Sequence, residues 1–285
     1  LQLSWFGVSG ILLRHGNDAV MVDPFFTRPE GLLPMLGNRR IAPDEQRVRD
    51  ALGRAGIQRL DAVMVSHSHF DHALDAGLVA RLTGAQLIGS ESTANIGRGA
   101  GLPESLIHVV RSGETVHAGP FDIRFFRSHH AGATGGRPKG DIRQPLIPPA
   151  RYADYRQGGT WSIHIAHPAG SMLHHGSAGF VPGALEGVHA DAVGLGIALI
   201  DDLPAYLEEV VDRSRARHVY ALHWDDFTRP LDQPLRPFPI GVDVEAFFAD
   251  MARLRPQLRV RVLPLATPAN LCGTDSCVIR RDVVE

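Results

Sequence analysis

Residues 66 to 72 read SHSHFDH, three histidines and one aspartate within seven positions, directly after the apolar run DAVMV. Such a stretch restricts the fold, because a strand must end where all these side chains can converge on something that needs them. In extended backbone, residues two apart point the same way, so His67 and His69 can aim their rings at one point beyond the strand. Asp71 and His72 can then face a second point. Imidazole and carboxylate donors crowded in this way suit zinc or a similar borderline divalent ion. A solvated polar turn is the plain alternative, and three rings in seven residues argue against it.

The bulk properties set the frame for that stretch. With 285 residues, 44% hydrophobic and 21% charged, the chain can bury a full core as one large domain or two small ones. A formal net charge of -2 without a basic block leaves no nucleic-acid footprint and no polybasic membrane patch, so a small-molecule substrate is expected, recognised locally. The longest apolar run, AVGLGIALI at 192 to 200, is short of the roughly 20 residues that a membrane-spanning helix requires. The chain opens at Leu1 in strand-like sequence, which fits a cytoplasmic protein or one exported after removal of an N-terminal segment. Its two cysteines, Cys272 and Cys277, allow one local disulfide or two unpaired thiols, and neither a framework nor a CxxC pair. Oligomeric state is left open.

Strand and helix signals alternate along the chain. LQLSWFG, GILLRHG and DAVMVDP read as an opening meander, and PDEQRVRDALGRAG as a helix with Pro43 in its first turn and Gly56 near its end. After the histidine cluster come a helix near 72 to 83, a strand AQLIGS, and three strands within SLIHVVRSGETVHAGPFDIRFFRSHH. A second series follows: strands TWSIHIAH and SMLHHGS, helix DLPAYLEEVVDRSR, strand HVYALHW, helix VDVEAFFADMARL and strand RVRVLPL. Two strand-rich halves with helices predict an α/β fold in four layers, αββα. Residues 135 to 159, rich in Gly, Pro and charge, read as a lid over the site.

His67, His69, Asp71 and His72 match HxHxDH, and through it the chain resembles the metallo-β-lactamase superfamily. WFGVSGILLRHGNDAVMVDPFF is similar to the opening of its ascorbate-6-phosphate lactonase-like and N-acyl-phosphatidylethanolamine phospholipase D-like branch, in which a DP pair, here Asp23 and Pro24, ends the third strand. The resemblance implies one metallo-β-lactamase-like domain over 1–285. It also implies that Asp23 either orients a ligating histidine or simply forms a turn before Pro24. A further ligand is expected from FFRSHHAG, His130 in preference to His129, and another from YALHWDDF, His223. Asp225 or Asp226 beside it would bond a ligand or donate a proton.

One departure stands out. Where the superfamily commonly carries an aspartate that bridges two metals, this chain has Ser177, as the B3 subclass of metallo-β-lactamases does. The implied ligand sets are then His67, His69 and His130, and Asp71, His72 and His223. His175 is a candidate to fill the vacancy, although His174 and His175 are adjacent on a strand, so at most one can face the metals. The resemblance implies one or two Zn2+ ions, or Mn2+ or Fe2+ in their place. It implies a metal-dependent hydrolase that turns a metal-bound hydroxide on a lactone, phosphodiester or related ester or amide, with Asp71 or Asp226 as proton donor. The alternatives are a β-lactamase-like amide hydrolase and a metal-binding member without hydrolysis.

Overall fold

Burial alternates along the strands, and that alternation builds the layers. In Asp18–Val22, Val20 and Val22 face one core while Ala19 and Met21 face another, and all four are buried. A strand covered on both faces belongs inside a layered fold. The computed structural model describes residues 1–132 and 135–274. Its first sheet runs in the order Ala269–Asn270, Gln2–Trp5, Ile11–His15, Asp18–Val22, Ala62–Met64, Gln86–Gly89 and Ile107–Val109. The second runs Arg259–Arg261, His218–Leu222, Ala192–Gly196, Gly170–His175, Thr160–His167, Phe121–Ser128 and Thr115–Ala118.

Between the sheets, Trp5, Ile11, Leu13, Val20, Val22 and Met64 meet Phe121, Ile123, Phe125, Ile163, Ile165 and Met172. Each such side chain contributes about 1.5–3 kcal/mol by leaving water. The outer face of the first sheet packs under the helices Glu45–Arg54, Ala76–Thr83 and Glu91–Gly99. The outer face of the second packs under the helical stretch from Leu203 to Asp212 and under Val244–Leu254. The expected four-layer αββα sandwich is the observed architecture.

Several local expectations change. The helix expected near 72 to 83 is two, Phe70–Ala73 and Ala76–Thr83. Asp75 stands at the break, with its carboxylate accepting from the Phe26 and Thr27 amides at 2.6 and 2.8 Å. The first long helix starts at Glu45, because Asp44 caps it by accepting from the Arg47 amide at 3.0 Å, and Pro43 lies before it. The three strands of 107–128 divide between the sheets, with Ile107–Val109 ending the first and the other two opening the second. Helix Glu91–Gly99 and strand Ala192–Gly196 carried no clear signal, the helix because ESTANIGRG holds two glycines and three β-branched or hydroxyl residues. The pairing question at Cys272 falls on Cys277, which lies outside the described residues.

The segment 135 to 159 is built into the protein. Ile142, Ala150, Tyr152 and Tyr155 are buried in the first sheet's outer core. Ala150–Arg151 pairs antiparallel with Arg40–Ile41. The Ile142 amide donates to Ser92 Oγ at 2.9 Å, Asn95 Nδ2 donates to Ile142 O at 2.7 Å, and the Leu146 amide donates to Asn95 O at 2.9 Å. A lid free to open would break all of these contacts, so its removal costs stability as well as any effect on substrate. Tyr155 is 1% exposed, so Tyr155→Ala is expected to lower unfolding free energy by about 3–5 kcal/mol in urea denaturation, as for other large core truncations. A change within about 0.5 kcal/mol, the usual range for surface positions, would restore the picture of a loose flap.

Candidate metal centre

The loops that follow Ala62–Met64, Phe121–Ser128 and His218–Leu222 bring their histidines to one place. Beyond the carboxyl ends of strands is the usual location of sites in sheets of this kind. His67, His69 and His130 offer ring nitrogens within 4.8 Å of one another, and Asp71, His72 and His223 form a second group to the same limit. The groups adjoin, since the rings of His67 and His72 lie 3.8 Å apart.

Hydrogen bonds fix which nitrogen each ring can offer. His72 Nδ1 donates to Asp23 Oδ2 at 2.8 Å, His69 Nε2 donates to Pro138 O at 3.1 Å, and His130 Nδ1 donates to Ala131 O at 2.9 Å. In the neutral form of each ring, the form a metal ligand must take, the other nitrogen then carries a lone pair. His67 Nε2 and His72 Nε2 are buried with no hydrogen-bond partner among the described residues. Buried polar atoms are nearly always satisfied, so orphans beside four other donors fit a metal ion. Burial lowers the pKa of His67 and His69 and brings that of His130 down to about 4, which keeps these rings neutral as ligands must be. Burial also opposes ionisation of Asp71, but His72 and His223 outweigh it and hold the carboxyl well below its usual range.

Asp23 does orient a histidine. Its Oδ1 accepts from the Ser66 amide at 2.7 Å and its Oδ2 from Ser66 Oγ at 2.6 Å, in addition to His72. Ser66 Oγ lies 3.4 Å from His67 Nδ1, so one carboxylate and one hydroxyl connect both groups of donors. Ser66 escaped the sequence reading even though it precedes the motif directly. The Pro138 and Ala131 carbonyls left no sequence signal, since any residue supplies a carbonyl.

Other candidates lie elsewhere. His129 is exposed and outside both groups. His175 points away from the donors: its Nε2 donates to Gly179 O at 2.8 Å, its Nδ1 accepts from Ser162 Oγ at 2.8 Å, and its ring lies against Tyr206. It cannot replace a bridging ligand while both nitrogens are engaged. His174 faces inward, donating from Nε2 to Ser9 O at 2.8 Å. Ser177 Oγ accepts from the Ala131 amide at 2.8 Å and so fastens the loop that carries His130.

Asp226 is not placed as a proton donor. Its Oδ2 accepts from Arg236 at 2.8 and 3.0 Å, and its Oδ1 accepts from Thr228 Oγ1 at 2.6 Å. Burial opposes its ionisation, but Thr228 and Arg236 outweigh that and lower the pKa, so it holds no proton to give near neutrality. Asp225, fully buried, pairs with Arg28 at 2.6 Å and accepts from the Val8 amide at 2.8 Å. Val8 O in turn accepts from the His223 amide at 2.7 Å, and His223 is held at φ 57°. Arg28 and Val8 thus position a candidate ligand that neither contacts through its ring, a role with no sequence signature.

Comparison with known proteins agrees with this geometry. A metal-dependent hydrolase of Agrobacterium fabrum is 26% identical over 133 residues, 47% of this chain and 49% of the relative, so the match spans about half the length of that protein. Among solved structures, a metallo hydrolase of the archaeon Ignicoccus hospitalis superposes with TM-score 0.59 at 15% identity, covering 94% of this chain and 97% of the other. An isothiocyanate hydrolase from Delia radicum gut bacteria gives TM-score 0.59 at 14% identity, covering 95% and 99%. At such identities these structures establish the fold alone. Residues 3–184 match the family model of the metallo-beta-lactamase superfamily, and this chain belongs to that superfamily.

Proposed function

We propose that the protein is a metal-dependent hydrolase with a two-metal site, acting on a small ester-like molecule such as a lactone or phosphodiester. The observation that carries this reading is the pair of adjoining donor groups, one of three histidines and one of Asp71, His72 and His223. Three of the six side chains have their second ring nitrogen bonded to a carbonyl or carboxylate, an arrangement expected of ligands. Five imidazoles and one carboxylate favour zinc over the oxygen-seeking ions, with iron or manganese as competitors. When bound, a divalent ion lowers the pKa of coordinated water from 15.7 to about 7 and polarises a substrate oxygen.

The chain's own groups hold and orient. Asp23 keeps the His72 proton on Nδ1, Pro138 and Ala131 do the same for His69 and His130, and burial excludes bulk water from His67 and His72. Asp71 stays ionised, so it acts as a ligand and acceptor first; after hydrolysis begins, it can take up a proton and pass it to the leaving group. β-lactamase-like amide hydrolysis is the second reading. It draws on the serine at position 177 in place of a bridging carboxylate.

Three outcomes test the proposal. Elemental analysis of purified protein is expected to find one to two equivalents of zinc, iron or manganese, and chelation should abolish turnover of a chromogenic panel of lactone, phosphodiester, ester and β-lactam. Metal without turnover of any panel member would leave only a metal-binding protein. Asp23→Ala should weaken the metal held by Asp71, His72 and His223 by about 10–100-fold in competition with a chromogenic chelator, the usual cost of losing such a partner. Equal affinities in wild type and variant would reduce Asp23 to a turn residue. Asp71→Ala should lower both the occupancy of that metal and hydrolysis; full occupancy in the variant would remove Asp71 from the ligand set.

A further inference from the structure

Residues 135 to 159 carry five basic side chains, Arg137, Lys139, Arg143, Arg151 and Arg156, against two acidic ones, Asp141 and Asp154, within a chain whose formal net charge is -2. Positive charge is therefore concentrated on this segment. Several cations elsewhere are matched locally, with Arg49 on Glu45, Arg98 on Glu91 and Glu104, and Arg213 on Glu209. Among the described residues, Arg137 and Lys139 have no carboxylate partner, and both are exposed.

Their location gives this meaning. Arg137 and Lys139 flank Pro138, whose carbonyl accepts from His69 at 3.1 Å. Gly136, at φ 71°, lies so close to His130 that a Cβ there would stand 2.5 Å from the ring. A Cβ on Gly135 would stand 3.6 Å from Lys139 Nζ. The Lys139 side chain therefore folds back along the strip of backbone that covers His130, beside the all-histidine group of donors.

The donor atoms add little compensating charge. Of six side chains only Asp71 is anionic. A pair of divalent ions held there would leave the mouth strongly positive, and two unpaired cations at its edge would raise that potential further. Such a mouth attracts anions.

We propose that the substrate carries an anionic group, of phosphate or carboxylate chemistry, that docks against Lys139 and Arg137 beside His69 and His130. The inference rests on the hydrolase reading for the word substrate, and on the charge distribution for the site. It makes these two residues determinants of specificity rather than of chemistry.

Isothermal titration of phenylphosphonate and of benzoate into zinc-loaded protein tests it. Lys139→Glu and Arg137→Glu should each weaken binding of at least one of these anions by about fivefold, the size of one charge interaction near a surface. Their zinc content should equal that of wild type. Weakening confined to phenylphosphonate assigns the group to phosphate chemistry, and weakening confined to benzoate assigns it to a carboxylate. Unchanged affinity for both anions overturns the proposal, as does a loss of affinity that only follows loss of zinc. The chromogenic panel is measured alongside: anion binding that depends on Lys139 in a protein without turnover would remove the hydrolase reading while leaving the anion site in place.

Discussion

A single buried carboxylate holds the centre together. Asp23 ends the Asp18–Val22 strand, its amide donates to Met64 O at 2.9 Å, and its side chain accepts three hydrogen bonds from Ser66 and His72. It is fully buried and sits at φ 47°, a conformation unusual for a residue other than glycine. Strain of this kind persists only where surrounding contacts enforce it, and it gathers at functional sites. Strand pairing, the turn that starts the histidine motif and the orientation of one ring therefore all depend on the same group. A carboxylate buried so deeply is tolerable because every one of its bonds is charge-assisted.

The opposite wall has an equivalent device. Arg28 and Asp225 form an ion pair with both side chains fully buried, and Asp225 reaches on to Val8, which holds the backbone of His223. Burying two charges costs much of what their attraction returns, so such a pair is weak evidence for stability as such. Its value here is geometric. It joins the Thr27–Arg28 segment, which follows the Asp18–Val22 strand of the first sheet, to the loop after His218–Leu222 of the second, and that loop carries His223.

The 135–159 segment completes the site from a third side. Tyr155 and Ile142 anchor it in the core, and Pro138 meets His69. Its polar, glycine-rich composition concealed this, since long loops of that kind usually stand off as lids. The few apolar side chains it has are spaced to reach the groove beside helix Glu91–Gly99, and backbone bonds to Ser92 and Asn95 do the rest.

The local sequence by itself determined the layered α/β class, the strand that leads into the motif, and His67, His69, Asp71 and His72 as neighbours, because periodicity and short spacing are local properties of the chain. His130 and His223 came from resemblance to a family, with strand ends as their only local mark. What the tertiary structure alone decided was direction and partnership. His175 and Asp226 carry the right chemistry, yet one faces Ser162 and Gly179 and the other is closed by Arg236 and Thr228. Asp23 lies 49 positions from His72, and Arg28 lies 197 from Asp225. No local pattern encodes such a distance, because the first contact arises only when the Asp18–Val22 and Ala62–Met64 strands pair within one sheet, and the second only when the two sheets pack.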